Sequence, residues 1–347
     1  MQAFRFIAAQ KPAELREVPV PEPGPGQVLI KIGGAGACHS DLHILEAPPQ
    51  PGPAQAPFTL GHENAGWVEK MGPGATGFAQ GDPVIVYGPW GCGLCMNCRI
   101  GRENYCQNPG DIKAGGLGSD GGMAPYFLVP STRFLIPLGN LDPREAAPLT
   151  DAALTSYHAV KRSLHLLGAG STAVVIGAGG LGQMAIQVLR VLSGATTIIA
   201  VDTSADKLKI AKSMGADETL LSGDEAVNRI KDITRGQGAE LVLDMVGVNP
   251  TLAMSAKVSR VLGQVTIVGL GSPTAALPVN FRSPAKECSV ASPYWGYIPE
   301  LMEVVNLAQT GKIKMLVEHF PLERAAEAYH LLHDGKIKGR AVITPHV

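Results

Sequence analysis

Thr172-Ala173-Val174-Val175-Ile176-Gly177-Ala178-Gly179-Gly180-Leu181-Gly182 is the stretch whose reading decides the fold. Its first five residues read as a strand and its glycines as a turn. Leu181, Ala185, Val188 and Leu192 follow at helical spacing. In that setting each glycine has a physical task. Gly177 permits a tight turn, Gly179 lets backbone N–H groups approach a pyrophosphate, and Gly182 lets the helix lie close to the strand. The helix N-terminus favours the same anion. A glycine-rich turn can also join strand to helix with no ligand, so context decides. The next apolar strand ends in Asp202, about 20 residues on, where a carboxylate can accept hydrogen bonds from ribose hydroxyls. A helix cap is the other reading of Asp202, but Ser204 is better placed before Ala205–Met214. Asp202 would repel a 2′-phosphate and no arginine follows to neutralise one, which favours NAD over NADP. Lys207 is either a second ribose contact or an ordinary surface lysine.

Working outward, strands are expected at Thr172–Ile176, Thr197–Val201, Glu218–Leu221, Glu240–Leu243, Gln264–Val268 and Cys288–Ala291, with helix-period stretches between most of them. Six such strands predict a doubly wound parallel sheet. Before Asp151 the text is rich in Gly and Pro, with short apolar runs at Val28–Ile32, Gly66–Val68 and Pro83–Val86, which predict an irregular β domain. The tail offers amphipathic helices at Pro299–Ala308 and Leu322–His333 and a strand at Arg340–Thr344, expected to fold back onto the first domain. The predicted division is 1–152 with 290–347 for one domain and 153–289 for the other.

Composition excludes several classes. Hydrophobic residues make up 45% and charged residues 17%, which suits a packed core rather than a disordered chain. A net charge of −1 and the absence of a like-charge run supply no basic face for nucleic acid. Met1–Leu15 has no long apolar segment and no stretch of about 18 apolar residues occurs, so no membrane partner and a cytoplasmic location are expected.

Four of the six cysteines crowd into Cys92-x2-Cys95-x2-Cys98-x7-Cys106. Four soft donors in a Gly-rich lobe suit closed tetrahedral zinc rather than disulfides or buried thiols, and a closed site has no position for substrate. A second set is dispersed: Cys38-His39-Ser40-Asp41-Leu42-His43, Gly61-His62-Glu63 and Pro148-Leu149-Thr150-Asp151. Taken singly, Cys38 reads as a small hydrophobe, His62 as a core histidine and Asp151 as a helix cap.

Together, these segments in this order, with the Gly177–Gly182 turn, resemble the zinc-containing medium-chain dehydrogenase/reductase family over essentially the whole chain. Gly88-Pro89-Trp90-Gly91-Cys92, Gly101–Cys106, Pro148–Ala152 and Ser292-Pro293-Tyr294-Trp295-Gly296 further resemble bacterial secondary alcohol dehydrogenases that reduce bulky and aryl ketones. The resemblance implies a GroES-like irregular β catalytic domain plus a Rossmann six-stranded sheet. It implies NAD(H), two Zn²⁺ per subunit and hydride transfer between the cofactor and an alcohol, ketone or aldehyde. It makes Cys38, His62 and Asp151 the catalytic zinc ligands, with Glu63 the competing third ligand.

The resemblance also assigns Ser40 and His43 to a proton relay; His43 reads equally as a surface histidine, and Ser40 also as the cap of a short helix beginning at Asp41. His39, Thr155 and Arg340 are implied cofactor contacts, beside Gly177, Gly179, Gly180, Leu181, Gly182, Asp202, Lys207 and Val268. Tyr294 and Trp295 are candidates for the substrate pocket or a subunit contact, in a homotetramer or homodimer. Cys288 is expected to be a strand thiol without chemistry. The rival readings are a polyol or diol dehydrogenase on the same scaffold, a zinc-free quinone reductase and a non-catalytic NADH-binding protein.

Overall fold

Thr172–Ile176 is buried along its whole length, as a strand covered on both faces must be, which explains its unbroken apolar run. The computed structural model describes residues 1–48, 57–108, 110, 113–272, 274, 276–280 and 283–346. Thr172–Ile176 pairs in parallel with Thr197–Asp202 on one side and Ala239–Asp244 on the other. The six-stranded sheet runs in the order Glu218–Leu221, Thr197–Asp202, Thr172–Ile176, Ala239–Asp244, Ser259–Ile267, Ser289–Ala291, every pair parallel. The chain therefore winds outward in one direction and then the other from its first strand. The turn at Gly177 lies where strand order reverses, the place where such sheets leave a crevice for ligands.

Helices Gly180–Leu192, Ala205–Ser213, Asp224–Ile233 and Asn249–Val258 connect these strands. Val174, Ile176, Ile199, Val201, Val242 and Val265 meet Val227, Ile230 and Val258 in one buried cluster. Several strand boundaries differ from expectation, most of them by one residue. The fifth strand starts early, at Ser259, because Leu262 takes a positive φ of 60° and the ladder slips between Ala239 and Leu241. The sixth starts at Ser289, leaving Cys288 before it, half-buried.

The chain divides into two compact units: Met1–Leu154 with Gly296–Gly311 and Met315–Val347, and Thr155–Trp295 with Lys312–Lys314. The first unit centres on strand Val28–Ala37, buried over nearly all its ten residues. Glu63–Met71 and Arg340–Thr344 flank it antiparallel, with Gly36 opposite Glu63 and Ala37 opposite Ala341. That register places Cys38, Glu63 and Arg340 at one end of the sheet. Val317–Pro321 lies parallel to Arg340–Thr344, joined by a helical crossover. The expected helix Leu322–His333 is there a 3-10 turn, Leu322–Arg324, followed by an α-helix, Ala325–His333. No helix among the described residues is long and apolar enough to cross a membrane.

Candidate metal centres and dinucleotide turn

The four-cysteine lobe passes a geometric test for zinc. Cys92, Cys95, Cys98 and Cys106 offer sulfurs all within 4.8 Å of one another. Cys92 Sγ lies 4.0 Å from Cys98 Sγ, and Cys95 Sγ 4.0 Å from Cys106 Sγ. A tetrahedron with Zn–S bonds of about 2.3 Å has edges of about 3.8 Å, whereas a disulfide needs about 2.05 Å. Backbone N–H groups support the sulfurs. Leu94 and Cys95 donate to Cys92 Sγ, Gln107 to Cys95 Sγ, and Cys92 and Asn108 to Cys106 Sγ, at 3.4–3.5 Å. The N–H groups of Gln107 and Cys98 hold the Cys95 thiol down at about 6, while burial pushes Cys98 up to about 12. Beneath the lobe, buried Glu103 accepts the Gly91 N–H at 3.1 Å and pairs with Arg133.

The dispersed set converges. Cys38 follows strand Val28–Ala37 directly and caps helix His39–Glu46. Its Sγ lies 3.8 Å from Asp151 Oδ2, and His62 Nε2 lies 3.4 Å from the same oxygen. Mixed S, N and O donors around one zinc would stand about 3.3 to 3.6 Å apart, so the spacing fits within a few tenths of an ångström. One sulfur, one imidazole and one carboxylate leave a fourth position that no protein ligand of this cluster fills.

Asp41, fully buried, orients two of the three donors. Its Oδ2 accepts the Cys38 N–H at 3.0 Å, and its Oδ1 lies 2.9 Å from His62 Nδ1. A carboxylate accepts only, so Nδ1 carries the proton and Nε2 faces the cluster. Burial pulls the His62 pKa down. The Asp41 charge and hydrogen bonds to Asp151, Asp41 and Cys38 outweigh burial and hold it well above the usual histidine value.

Glu63 stands apart from this triangle. Its carboxylate accepts a fork from Arg340, Nε at 2.9 Å and Nη2 at 2.7 Å, and the Ala152 N–H at 3.0 Å. Arg340, implied above as a cofactor contact, is buried with Nη2 also 3.4 Å from Asp151 Oδ2. Burial opposes its charge, but the negative groups of Cys38, Glu63 and Asp151 push its pKa further up.

Ser40 Oγ lies 3.6 Å from Cys38 Sγ. Ser40 is not a helix cap: the helix begins at His39, and the Asp41 side chain takes the N-cap N–H in a capping-box arrangement. His43 is half-buried one turn along the same helix, and His39 is exposed at its start. The sequence reading missed Asp41 as a ligand-orienting group; its position three residues after the cap was the available signal.

In the second unit the glycine turn has the backbone geometry expected of it. Gly177 has φ +92°, and a Cβ there would lie 2.6 Å from Val246 Cγ2. A Cβ on Gly182 would run into the Gly177 carbonyl, while Gly179 faces open space. That is the cradle a pyrophosphate requires at the start of helix Gly180–Leu192. Asp202 bridges two turns, Oδ2 accepting the Ala178 N–H at 2.7 Å and Oδ1 the Ser204 N–H at 2.8 Å. Ser204 caps helix Ala205–Ser213 by accepting the Lys207 N–H, as its placement suggested. Val268 is buried just past its strand and Thr155 is buried; the Lys207 side chain is half-buried. Trp295 is buried with φ +56°, and half-exposed Tyr294 meets it edge to face at 5.9 Å. In the first unit a cavity of about 610 Å³ between residues 10–13 and helices His39–Glu46 and Ala325–His333 contains none of the ligand atoms.

Residues 24–140 match the family model of the alcohol dehydrogenase GroES-like domain, and residues 180–310 that of the zinc-binding dehydrogenase. A NAD-dependent alcohol dehydrogenase of Sulfurisphaera tokodaii is 38% identical, covering 99% of this chain and 100% of its own. A D-arabinose 1-dehydrogenase (NADP(+)) of Saccharolobus solfataricus is 35% identical, covering 96% and 95%. The structure of an acetophenone reductase of Geotrichum candidum in complex with NAD has a TM-score of 0.87 at 31% identity, covering 99% and 96%. The chain belongs to the zinc-containing medium-chain dehydrogenase/reductase family, with a GroES-like domain and a Rossmann domain.

Proposed function

We propose that the protein is a zinc-dependent, NAD-linked alcohol dehydrogenase acting on secondary and aryl alcohols and their ketones. The observation that carries the reading is the convergence of Cys38 Sγ, His62 Nε2 and Asp151 Oδ2 beside the Ser40 hydroxyl. Zinc there supplies a Lewis acid that makes an alcohol proton dissociable near neutral pH, and the nicotinamide supplies the hydride acceptor. The chain's own residues hold and orient. Asp41 fixes the His62 tautomer, and Arg340 keeps Glu63 turned away, which favours Asp151 as the third ligand. Ser40, with His43 one turn on, receives and passes the alcohol proton. Gly177–Gly182 cradles the pyrophosphate and Asp202 takes the ribose hydroxyls with Lys207 beside it, while Val268, three strands across the sheet, contacts another part of the cofactor.

The identity with an acetophenone reductase supports an aryl-ketone substrate; the identity with D-arabinose 1-dehydrogenase supports a second reading, a polyhydroxylated substrate. NADH oxidation is measured with acetophenone, and NAD⁺ reduction with 1-phenylethanol and with a sugar or polyol, each against a no-substrate control and before and after chelator. Chelator-sensitive turnover with acetophenone and 1-phenylethanol is expected; faster NAD⁺ reduction with the polyol moves the substrate to that class, and none on either moves small aldehydes ahead of both. Asp202→Ala should relax the preference for NAD over NADP, checked by the ratio of kcat/KM values. Subunit pairing through Ser289–Ala291, the outer strand of its sheet with Val290 exposed, completes the proposal, read by the mass in solution.

A further inference from the structure

One more group touches the carboxylate that orients the zinc cluster. Tyr329, buried on helix Ala325–His333, places its hydroxyl 2.8 Å from Asp41 Oδ2, the oxygen that accepts the Cys38 N–H. An ionised carboxylate has no proton to give, so the phenol donates; the other acceptor in reach, the Met123 thioether at 3.4 Å, is the weaker one. Burial, then the Asp41 charge, hold the phenol pKa well above its usual value, so the proton stays in place for donation. The ring is fixed independently by stacking on Phe4, with centroids 5.8 Å apart.

We propose that Tyr329 is a positioning residue for the catalytic zinc, acting through Asp41 on His62 and Cys38. The inference rests on the zinc reading of the Cys38, His62 and Asp151 cluster. A terminal carboxylate torsion is broad, so the Asp41 plane is set by its partners rather than by its rotamer. Those partners come from three places: the Cys38 N–H at a helix start, the His62 ring beside strand Glu63–Met71, and the Tyr329 hydroxyl on the C-terminal helix. Without the hydroxyl, a buried anionic oxygen is one donor short and the carboxylate is free to tilt. Tilting moves the His62 ring and the Cys38 backbone together, because both hang on the same group.

Tyr329→Phe in the full-length, zinc-loaded protein removes one oxygen and keeps the ring. A chromogenic chelator should take the catalytic zinc about tenfold faster, at the low end of outer-shell effects, while the four-cysteine zinc leaves at its original rate. In the cobalt-substituted protein the visible bands should shift, and kcat should fall with KM for NADH unchanged. Phe4→Leu loosens the stacking and keeps the hydroxyl, so its release rate should stay close to that of the parent. Unchanged zinc release and cobalt bands in Tyr329→Phe overturn the inference, as does equal acceleration by Phe4→Leu, which would reduce Tyr329 to packing. A parent protein that holds zinc only at the four cysteines overturns both this inference and the zinc reading beneath it; a parent with both zincs and an indifferent Tyr329→Phe overturns this inference alone.

Discussion

Cys92 and Cys106 are 14 positions apart, and their loop supplies its own supporting N–H groups; Cys38 and Asp151 are 113 positions apart, and side chains from elsewhere hold their cluster in shape. The first cluster offers four sulfurs supported by backbone N–H groups. The second offers three donors of different chemistry, oriented through Asp41, beside the buried Glu63–Arg340 pair. Four thiolates exhaust a tetrahedral ion, whereas three donors leave a place for substrate. The difference teaches that local backbone suffices to store a metal, while a reactive metal needs orientation from distant parts of the fold.

Four experiments test that contrast, from the largest expected effect on turnover to the smallest. Asp151→Asn replaces a charged ligand with a weaker neutral one and should lower kcat by more than about 100-fold, beyond the range of outer-shell changes. Metal analysis should find the four-cysteine zinc retained and titration should find NADH binding intact; undiminished zinc content and turnover would remove Asp151 from the site. Ser40→Ala should lower kcat by about 100-fold, the low end for a lost proton-transfer group, with both zincs retained. Loss of zinc in that variant would make Ser40 a holder of the metal rather than a relay.

Lowering the pH should weaken the catalytic zinc through His62. Its folded pKa is raised in the metal-free site, so the proton stabilises the metal-free fold fully below the unfolded value of about 6.5 and this is lost as pH rises through the raised value. Zinc must displace that proton, so below the raised value each unit of acidification should cut affinity about tenfold from this ring alone. Zinc titrations at stepped pH check it; a pH-independent affinity would show that His62 is not displaced. Cys98→Ser should remove the lobe's zinc and lower Tm by roughly 5 °C, as about 2 kcal/mol would, with turnover of the folded fraction unchanged. A collapse of turnover without a fall in Tm would break the division between storage and chemistry.

Much of the second unit was legible because its signals are local. Thr172–Ile176, the glycine turn and Ser204 before helix Ala205–Ser213 each depend on neighbouring residues, and the structure has them as read. The strand ends at Ser259 and Ser289 were not legible, since a ladder slip and a positive φ at Leu262 depend on the partner strand. The helix at Cys38 was misjudged by two residues because its cap bond comes from Asp41, a side chain also engaged by His62 and Tyr329.

By itself the sequence determined the parallel sheet, the glycine turn after its first strand and the clustering of four cysteines in one lobe, because strand period, glycine placement and cysteine spacing act over a few residues. Only the tertiary structure set Asp151 beside Cys38 and His62, turned Arg340 onto Glu63, and joined Tyr329 through Asp41 to Cys38 and His62. Those choices depend on the register of Val28–Ala37 against Glu63–Met71 and Arg340–Thr344, which brings together side chains that no local spacing relates.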